Sequence, residues 1–354
     1  MLAALFSGFA VGQDVSAKPV EVIATERLTL RLGEERVELP LFTSHELYQD
    51  HPGVTRLVVG IHGATRRADV IYKALRQDGE RSGQLDSTWF IAPQFLYRHD
   101  LDSLDNPPEI PVWRSMGWVR GDDARDPDNW ANYRSGLSSY AVLDEVILHA
   151  TERCPDLQEI AIAGHSAGGQ TVQRYAATTK LMQQFSEDDG PQLRFLMANP
   201  AGYLYFDDRR PAPESVTDYA LPEASAREAC PGYNDWHWGL DGREGYVAWL
   251  DAEAITEQYL CADVLLVSGT ADTVVNSEAI SGSCEAMLQG MNRHQRAKSF
   301  HEYITRLQTE RGLALHGYAE VDSVGHQLWK MLTSQPASEY LFGKDSGYIP
   351  GERD

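Results

Sequence analysis

The pentapeptide Gly164-His165-Ser166-Ala167-Gly168 constrains this chain more than any other segment. It follows the apolar run Ile160-Ala161-Ile162-Ala163 and precedes residues 167–184, where apolar positions recur at helical spacing. A G-x-S-x-G sequence between a buried strand and a helix fits a sharp turn that strains the serine backbone and exposes its hydroxyl. Glycine on either side avoids collision with neighbouring strands. The helix N-terminus directs positive potential at the same point. His165, inside the turn, is expected to pack beside the serine rather than join its chemistry.

The surrounding pattern is a parallel sheet covered by helices. Residues 20–31 and 35–43 alternate apolar and polar, as in an antiparallel pair. Runs at 56–61, 88–93, 160–163, 193–197, 264–267 and 316–321 read as short buried strands. Helical spacing occupies 67–79, 137–153, 167–184, 247–260 and 295–312, and a further helix begins near Gln327. Cys154-Pro155 stops the second of these. Strands alternating with helices predict a mostly parallel central sheet flanked on both faces. Residues 95–135 read as a long aromatic and acidic loop. Residues 199–245, rich in Pro, Gly, Tyr and Trp, interrupt the alternation and read as an insertion. The expected organisation is a leader over 1–17 and one domain over 18–354, with the insertion as a cap.

Strand, G-x-S-x-G turn and helix together resemble the α/β-hydrolase fold family, over about residues 20–340. Segments such as Asn199-Pro-Ala-Gly-Tyr-Leu-Tyr-Phe, Tyr233-Asn-Asp-Trp-His-Trp-Gly-Leu and Cys284-Glu-Ala-Met-Leu-Gln-Gly are similar to fungal and bacterial members without a settled substrate. The resemblance implies the chain order nucleophile, acid, histidine. Ser166 is then the nucleophile. Val264-Leu-Leu-Val-Ser-Gly-Thr-Ala-Asp272 is a strand followed by the family's G-x-x-D spacing, which implies Asp272 as the acid. Val324-Gly325-His326 follows the last strand and implies His326 as the base. Asp263 and His316 precede their strands and do not fit, while Asp322 remains an alternative acid. The implied oxyanion hole takes the Ala167 amide and one amide from His62-Gly63-Ala64-Thr65. Ala64 is the first choice and Thr65 the second. His62 reads as a structural partner in that turn. The segment departs from the HGGG loop of one lipase and esterase branch, so that branch's substrates do not carry over.

The insertion supplies Tyr203, Trp236 and Trp238 as expected substrate-binding residues, with Tyr205, Tyr233, Trp113 and Trp118 nearby in pattern. The competing reading is that these rings pack the insertion onto the body.

Composition removes other function classes. With 52 acidic and 31 basic residues the net charge is −21, which repels nucleic acid and anionic lipid. No apolar run is long enough to span a bilayer. The start MLAALFSGFA-VGQDVSA has a short apolar core and small residues at Ala10, Gly12 and Ala17. It reads as a signal peptide lacking its basic start, so a secreted or periplasmic location is expected. Cys154, Cys230, Cys261 and Cys284 form no CxxC pair, which argues against a zinc site. Cys230–Cys284 with Cys154–Cys261 is the expected pairing, against four buried reduced thiols. The acidic segment 121–128 lacks the EF-hand spacing and carries Arg125, so a solvated loop is expected there and no metal. Neither a phosphate loop nor GxGxxG is present, so no cofactor is expected.

These residues predict a cofactor-independent serine hydrolase acting on a small or polymeric carboxylic ester through an acyl-enzyme. The alternatives are a polyester or polyhydroxyalkanoate depolymerase, a serine peptidase, and a binding module on an inactive hydrolase scaffold. The sequence leaves the oligomeric state open.

Overall fold

The computed structural model describes residues 18–343, except 33–34, 105–108, 127–128, 130, 188–189, 214 and 276–281. The expected leader and part of the acidic segment 121–128 lie outside the described residues.

Eight strands form the central sheet: β1 (Glu26–Leu32), β2 (Glu35–Thr43), β3 (Arg56–Ile61), β4 (Thr88–Pro93), β5 (Glu159–His165), β6 (Gln192–Ala198), β7 (Asp263–Gly269) and β8 (Gly317–Val321). Their spatial order is β1-β2-β4-β3-β5-β6-β7-β8. β2 runs antiparallel to both β1 and β4, and all later neighbours are parallel. The mostly parallel sheet flanked by helices, expected from the alternation of elements, is therefore the observed architecture.

Strand sequence explains why helices cover both faces. Along β3, Leu57, Val59 and Ile61 enter one core while Val58 enters the other. Ile160 and Ile162 of β5 oppose Ala161 and Ala163 in the same way, and Val264 and Leu266 of β7 oppose Leu265 and Val267. A strand apolar at every position must bury both faces. One face is closed by α1 (Ala68–Arg81) and the C-terminal helices Leu328–Leu332 and Gln335–Phe342. The other is closed by α2 (Ser139–Arg153), α3 (Ala167–Thr178), α4 (Ala252–Cys261) and α5 (Arg293–Arg311). Among the described residues, no helix is long and apolar enough to cross a membrane.

Two expectations need correction. The helix expected over 167–184 stops at Thr178; Thr179 is extended and a separate helix spans Leu181–Glu187. The cause is side-chain competition. The Thr179 hydroxyl donates to buried Asp144, while Trp249 Nε1 and Gln258 Nε2 take the Thr178 and Thr179 carbonyls. The cysteines split. Cys230 and Cys284 form a disulfide, tying the insertion to the segment before α5. Cys154 and Cys261 are free, one buried and one exposed, so the second expected bond does not form.

The insertion holds little regular structure: a two-stranded ribbon of Arg210–Pro211 with Tyr219–Ala220, and the short helix Ala224–Ala229. The earlier loop region contains a second ribbon, Asp123–Arg125 with Tyr133–Ser138, and a tight turn at Gly117–Arg120.

Candidate active site

Ser166 sits between β5 and α3 with φ 59° and ψ −118°, a strained conformation for a residue bearing a side chain. The flanking glycines are required by contact. A Cβ on Gly164 would lie 2.3 Å from the Gly168 carbonyl oxygen, and one on Gly168 would lie 2.0 Å from that of Ile61. The Ser166 amide donates to the Ala198 carbonyl at 2.9 Å. The turn is thus gripped between the ends of β3 and β6, and the serine cannot relax without moving the sheet.

Asp272 and His326, drawn from loops 54 residues apart, meet directly. His326 Nδ1 lies 2.7 Å from Asp272 Oδ2. Asp272 is only 2% exposed, while the His326 side chain is 27% exposed. The G-x-x-D spacing has a steric reason. A Cβ on Gly269 would lie 2.3 Å from the Val324 carbonyl oxygen, so only glycine lets the histidine loop cross the acid loop. The Ala271 and Thr270 amides donate to the Val324 and Val321 carbonyls and join the two loops. Asp322, the alternative acid, is exposed and bonded to Thr270 and Ser323.

Burial alone would raise the Asp272 pKa. The hydrogen bond and charge from His326, then the charge of Arg293, outweigh it and hold the carboxyl below its usual value. His165 packs its ring 4.5 Å from the His326 ring, as its place in the turn suggested. Burial first, then the nearby His326 and Arg293, push its pKa far down, which keeps it a neutral wall.

The loop after β3 approaches the serine closely: a Cβ on Gly63 would stand 3.8 Å from Ser166 Cβ. The Gly63 carbonyl accepts from the Arg66 amide at 2.9 Å and lies 2.9 Å from His62 Nδ1. Because a trans peptide points N–H opposite to C=O, these bonds turn the Ala64 N–H away from the His62 ring. Among the described residues no hydrogen bond involves that N–H. The Ala167 N–H, first in α3, has no partner within the helix. His62 is structural. Its Nε2 accepts from the Phe95 amide at 3.0 Å, and burial pushes its pKa down to about 4.

Of the expected substrate-binding residues, Tyr203 is corrected. It is fully buried and stacked on Phe300 at 4.4 Å, packing the insertion against α5 instead of facing a substrate. Trp236 and Trp238 are half-buried. Trp236 Nε1 donates to the Arg120 carbonyl at 2.8 Å, and the Trp238 ring lies over Gly202.

Three buried groups that bond these loops left little or no trace in the sequence. Asn199 (φ 44°) donates from Nδ2 to the Gly325 carbonyl at 2.9 Å and accepts the Gly269 amide at 2.8 Å, bridging the acid and histidine loops. Arg66 and Asp100 form a fully buried ion pair at 2.7 Å beneath the Ala64 loop. Arg293 Nη1 donates to Asp272 Oδ1 at 3.2 Å. Only Asn199 left a signal, an Asn-Pro directly after a strand; the two ion pairs join residues that no local pattern connects.

No family model matches the chain, and no curated protein does. Among solved structures, poly(aspartic acid) hydrolase-1 from Sphingomonas sp. KT-1 aligns at 20% identity and a TM-score of 0.58, over 92% of this chain and 99% of that one. A poly(3-hydroxybutyrate) depolymerase from Bordetella parapertussis aligns at 19% identity and a TM-score of 0.56, over 90% of each chain. Together with the strand order and the elbow, these place the chain in the α/β-hydrolase fold.

Proposed function

We propose that this protein is a serine hydrolase that cleaves a carboxylic ester. The observation that carries the reading is the strained Ser166 at the β5–α3 elbow together with the Asp272–His326 pair on the loops after β7 and β8. Ser166 Oγ attacks the ester carbonyl carbon while His326 Nε2 takes its proton. The developing oxyanion is met by the Ala64 and Ala167 amides, at the N-terminal end of α3 where the helix dipole adds to them. The carbonyl–alkoxy bond then breaks and His326 passes the proton to the leaving alcohol. Water attacks the acyl-enzyme, gives one proton to His326, and the acid departs as that proton returns to Ser166. Asp272 holds the imidazole tautomer throughout and stabilises its cation.

A polymeric ester is the second reading. Val274, Val275 and Trp329, which follow Asp272 and His326 in sequence, are exposed and apolar, as a chain lying across the surface would need. The depolymerase that shares the fold is in keeping with it. The Cys230–Cys284 disulfide favours an oxidising compartment and so a secreted or periplasmic enzyme.

A fluorophosphonate probe tests the nucleophile. The parent protein should label at Ser166, and Ser166→Ala should abolish labelling and lower esterase turnover by about 10⁴–10⁶. A folded parent that stays unlabelled would instead favour a binding module. p-Nitrophenyl esters of rising chain length, beside aminoacyl anilides and polyester particles, sort the substrate classes.

A further inference from the structure

Both oxygens of Asp272 are occupied. Oδ2 meets His326 Nδ1 at 2.7 Å, and Oδ1 accepts Arg293 Nη1 at 3.2 Å. Asp272 and Arg293 are 2% and 3% exposed, so the pair is closed off from water. Arg293 opens α5, and the next amide, that of His294, donates to the Asp272 main-chain carbonyl at 3.2 Å. We propose that Arg293 is a positioning residue, locking the Asp272 carboxylate in the plane His326 requires and setting the pH above which His326 serves as base. The inference rests on the triad reading above.

A carboxylate held on one oxygen only can swing about its Cβ–Cγ bond, and the imidazole would follow it. The second bond, to a rigid guanidinium, removes that freedom. Charge adds a second effect. An unopposed carboxylate beside an imidazole stabilises the imidazolium, and a cation on the carboxylate's far oxygen offsets part of that stabilisation. Among the described residues, other groups around the pair do not take over this role. His165 faces His326 and is held neutral by burial. Arg296 and Tyr203 lie within electrostatic range of Arg293, and neither bonds Asp272 or His326 among the described residues. His294 turns elsewhere, with Nδ1 3.1 Å from Ser268 Oγ and Nε2 3.8 Å from Glu320. Arg293 is therefore the charge that balances Asp272.

The test is the pH dependence of kcat/KM on a p-nitrophenyl ester for the parent, Arg293→Gln and Arg293→Lys. Arg293→Gln should move the acid limb up by about one pH unit and lower kcat about tenfold or more, with KM nearly unchanged. Arg293→Lys keeps the charge but loses the fork, so its acid limb should stay near the parent's while kcat falls. The same comparison is made without substrate by following the His326 imidazole by NMR against pH in Ser166→Ala, with and without Arg293→Gln. A folded Arg293→Gln whose acid limb and imidazole titration both match the parent overturns the proposal. Should Arg293→Gln not fold, Arg293→Lys decides: parental kcat in it overturns the proposed lock on the Asp272 carboxylate. An imidazole titration that moves in a protein with no turnover on any ester would uphold the role of Arg293 and reject the hydrolase reading, so the two failures are distinct.

Discussion

Asn199→Ala separates the two loops that carry Asp272 and His326. Its side chain is the only described one that bonds both Gly269 and Gly325, and it lies in a nearly dry place after β6. Removing it leaves the buried Gly269 N–H unpaired, at about 1–3 kcal/mol, and frees the partly buried Gly325 carbonyl, at about 0.5–1.5 kcal/mol. Alanine also tolerates the positive φ of 44° less well than asparagine, adding about 1 kcal/mol. Together the loss is about 2.5–5.5 kcal/mol, which for a chain of this length lowers Tm by about 3–7 °C. The catalytic effect should exceed the stability effect. With the loops untied, the Asp272–His326 pair is no longer fixed, and misplacement of about 1 Å costs about a hundredfold in rate. Asn199→Gly isolates the bridge, because glycine accepts the positive φ freely while still lacking the amide. Calorimetry and the rate of fluorophosphonate labelling are the two measurements. Labelling at the parental rate in both variants, with Tm within 1 °C, would show that the loops hold themselves and that the bridge is incidental.

Three further outcomes are expected. Thiol titration of the denatured, unreduced protein should find two free groups, Cys154 and Cys261, and four after reduction; four before reduction would remove the disulfide and the case for an oxidising compartment. Burial pushes the Asp78 carboxyl up to about 6, so the folded state favours its protonated form; stability is then greatest below the ordinary carboxyl pKa and falls as pH rises through about 6. Asp78→Asn should flatten that fall, raising Tm at pH 7 more than at pH 4, and an equal shift at both would refute it. Trp236→Ala and Trp238→Ala should each cost a long-chain ester about 1–3 kcal/mol more than an acetate in kcat/KM; equal losses with a lower Tm would assign both indoles to packing.

Much of the frame was legible because strands buried on both faces leave a strong local trace. Ile160-Ala-Ile-Ala and Val264-Leu-Leu-Val carry no polar position, which suits a parallel strand covered on both faces. The elbow was legible too, since Gly164 answers to the backbone of Gly168 within one turn of chain, although Gly168 answers to Ile61 across the sheet. What stayed hidden depends on side chains meeting across long separations. The break after Thr178 comes from Asp144, Trp249 and Gln258, none of which alters the helical spacing of 167–184. Tyr203 looked like a substrate contact because its segment is aromatic, and only its stacking on Phe300 of α5 shows it to be packing. The Cys154–Cys261 expectation failed because counting thiols ignores that one closes α2 inside the core while the other ends α4 at the surface.

The composition held one clue whose meaning needed the fold. Only six of the 31 basic residues are lysine, which reads at first as a property of the surface. Inside, the arginines do a different job. Arg174 donates to the Val119 and His237 carbonyls, and Arg210 to those of Asp207, Arg209, Tyr233 and Trp238. Arg210 is also stacked between Tyr205 and Tyr233. Arg296 reaches the Gly290 and Ala201 carbonyls. All three are buried, and all meet backbone oxygens of segments that lack regular structure. Such carbonyls have no ladder partner, and leaving them bare in the interior costs more than bringing a guanidinium to them. A lysine ammonium cannot replace it, since one compact charge does not reach carbonyls spread over a plane. The insertion therefore holds its shape through arginine forks instead of helices and strands. That is how a segment so poor in secondary structure keeps Trp236 fixed against the turn at Gly117–Arg120 and Trp238 over Gly202.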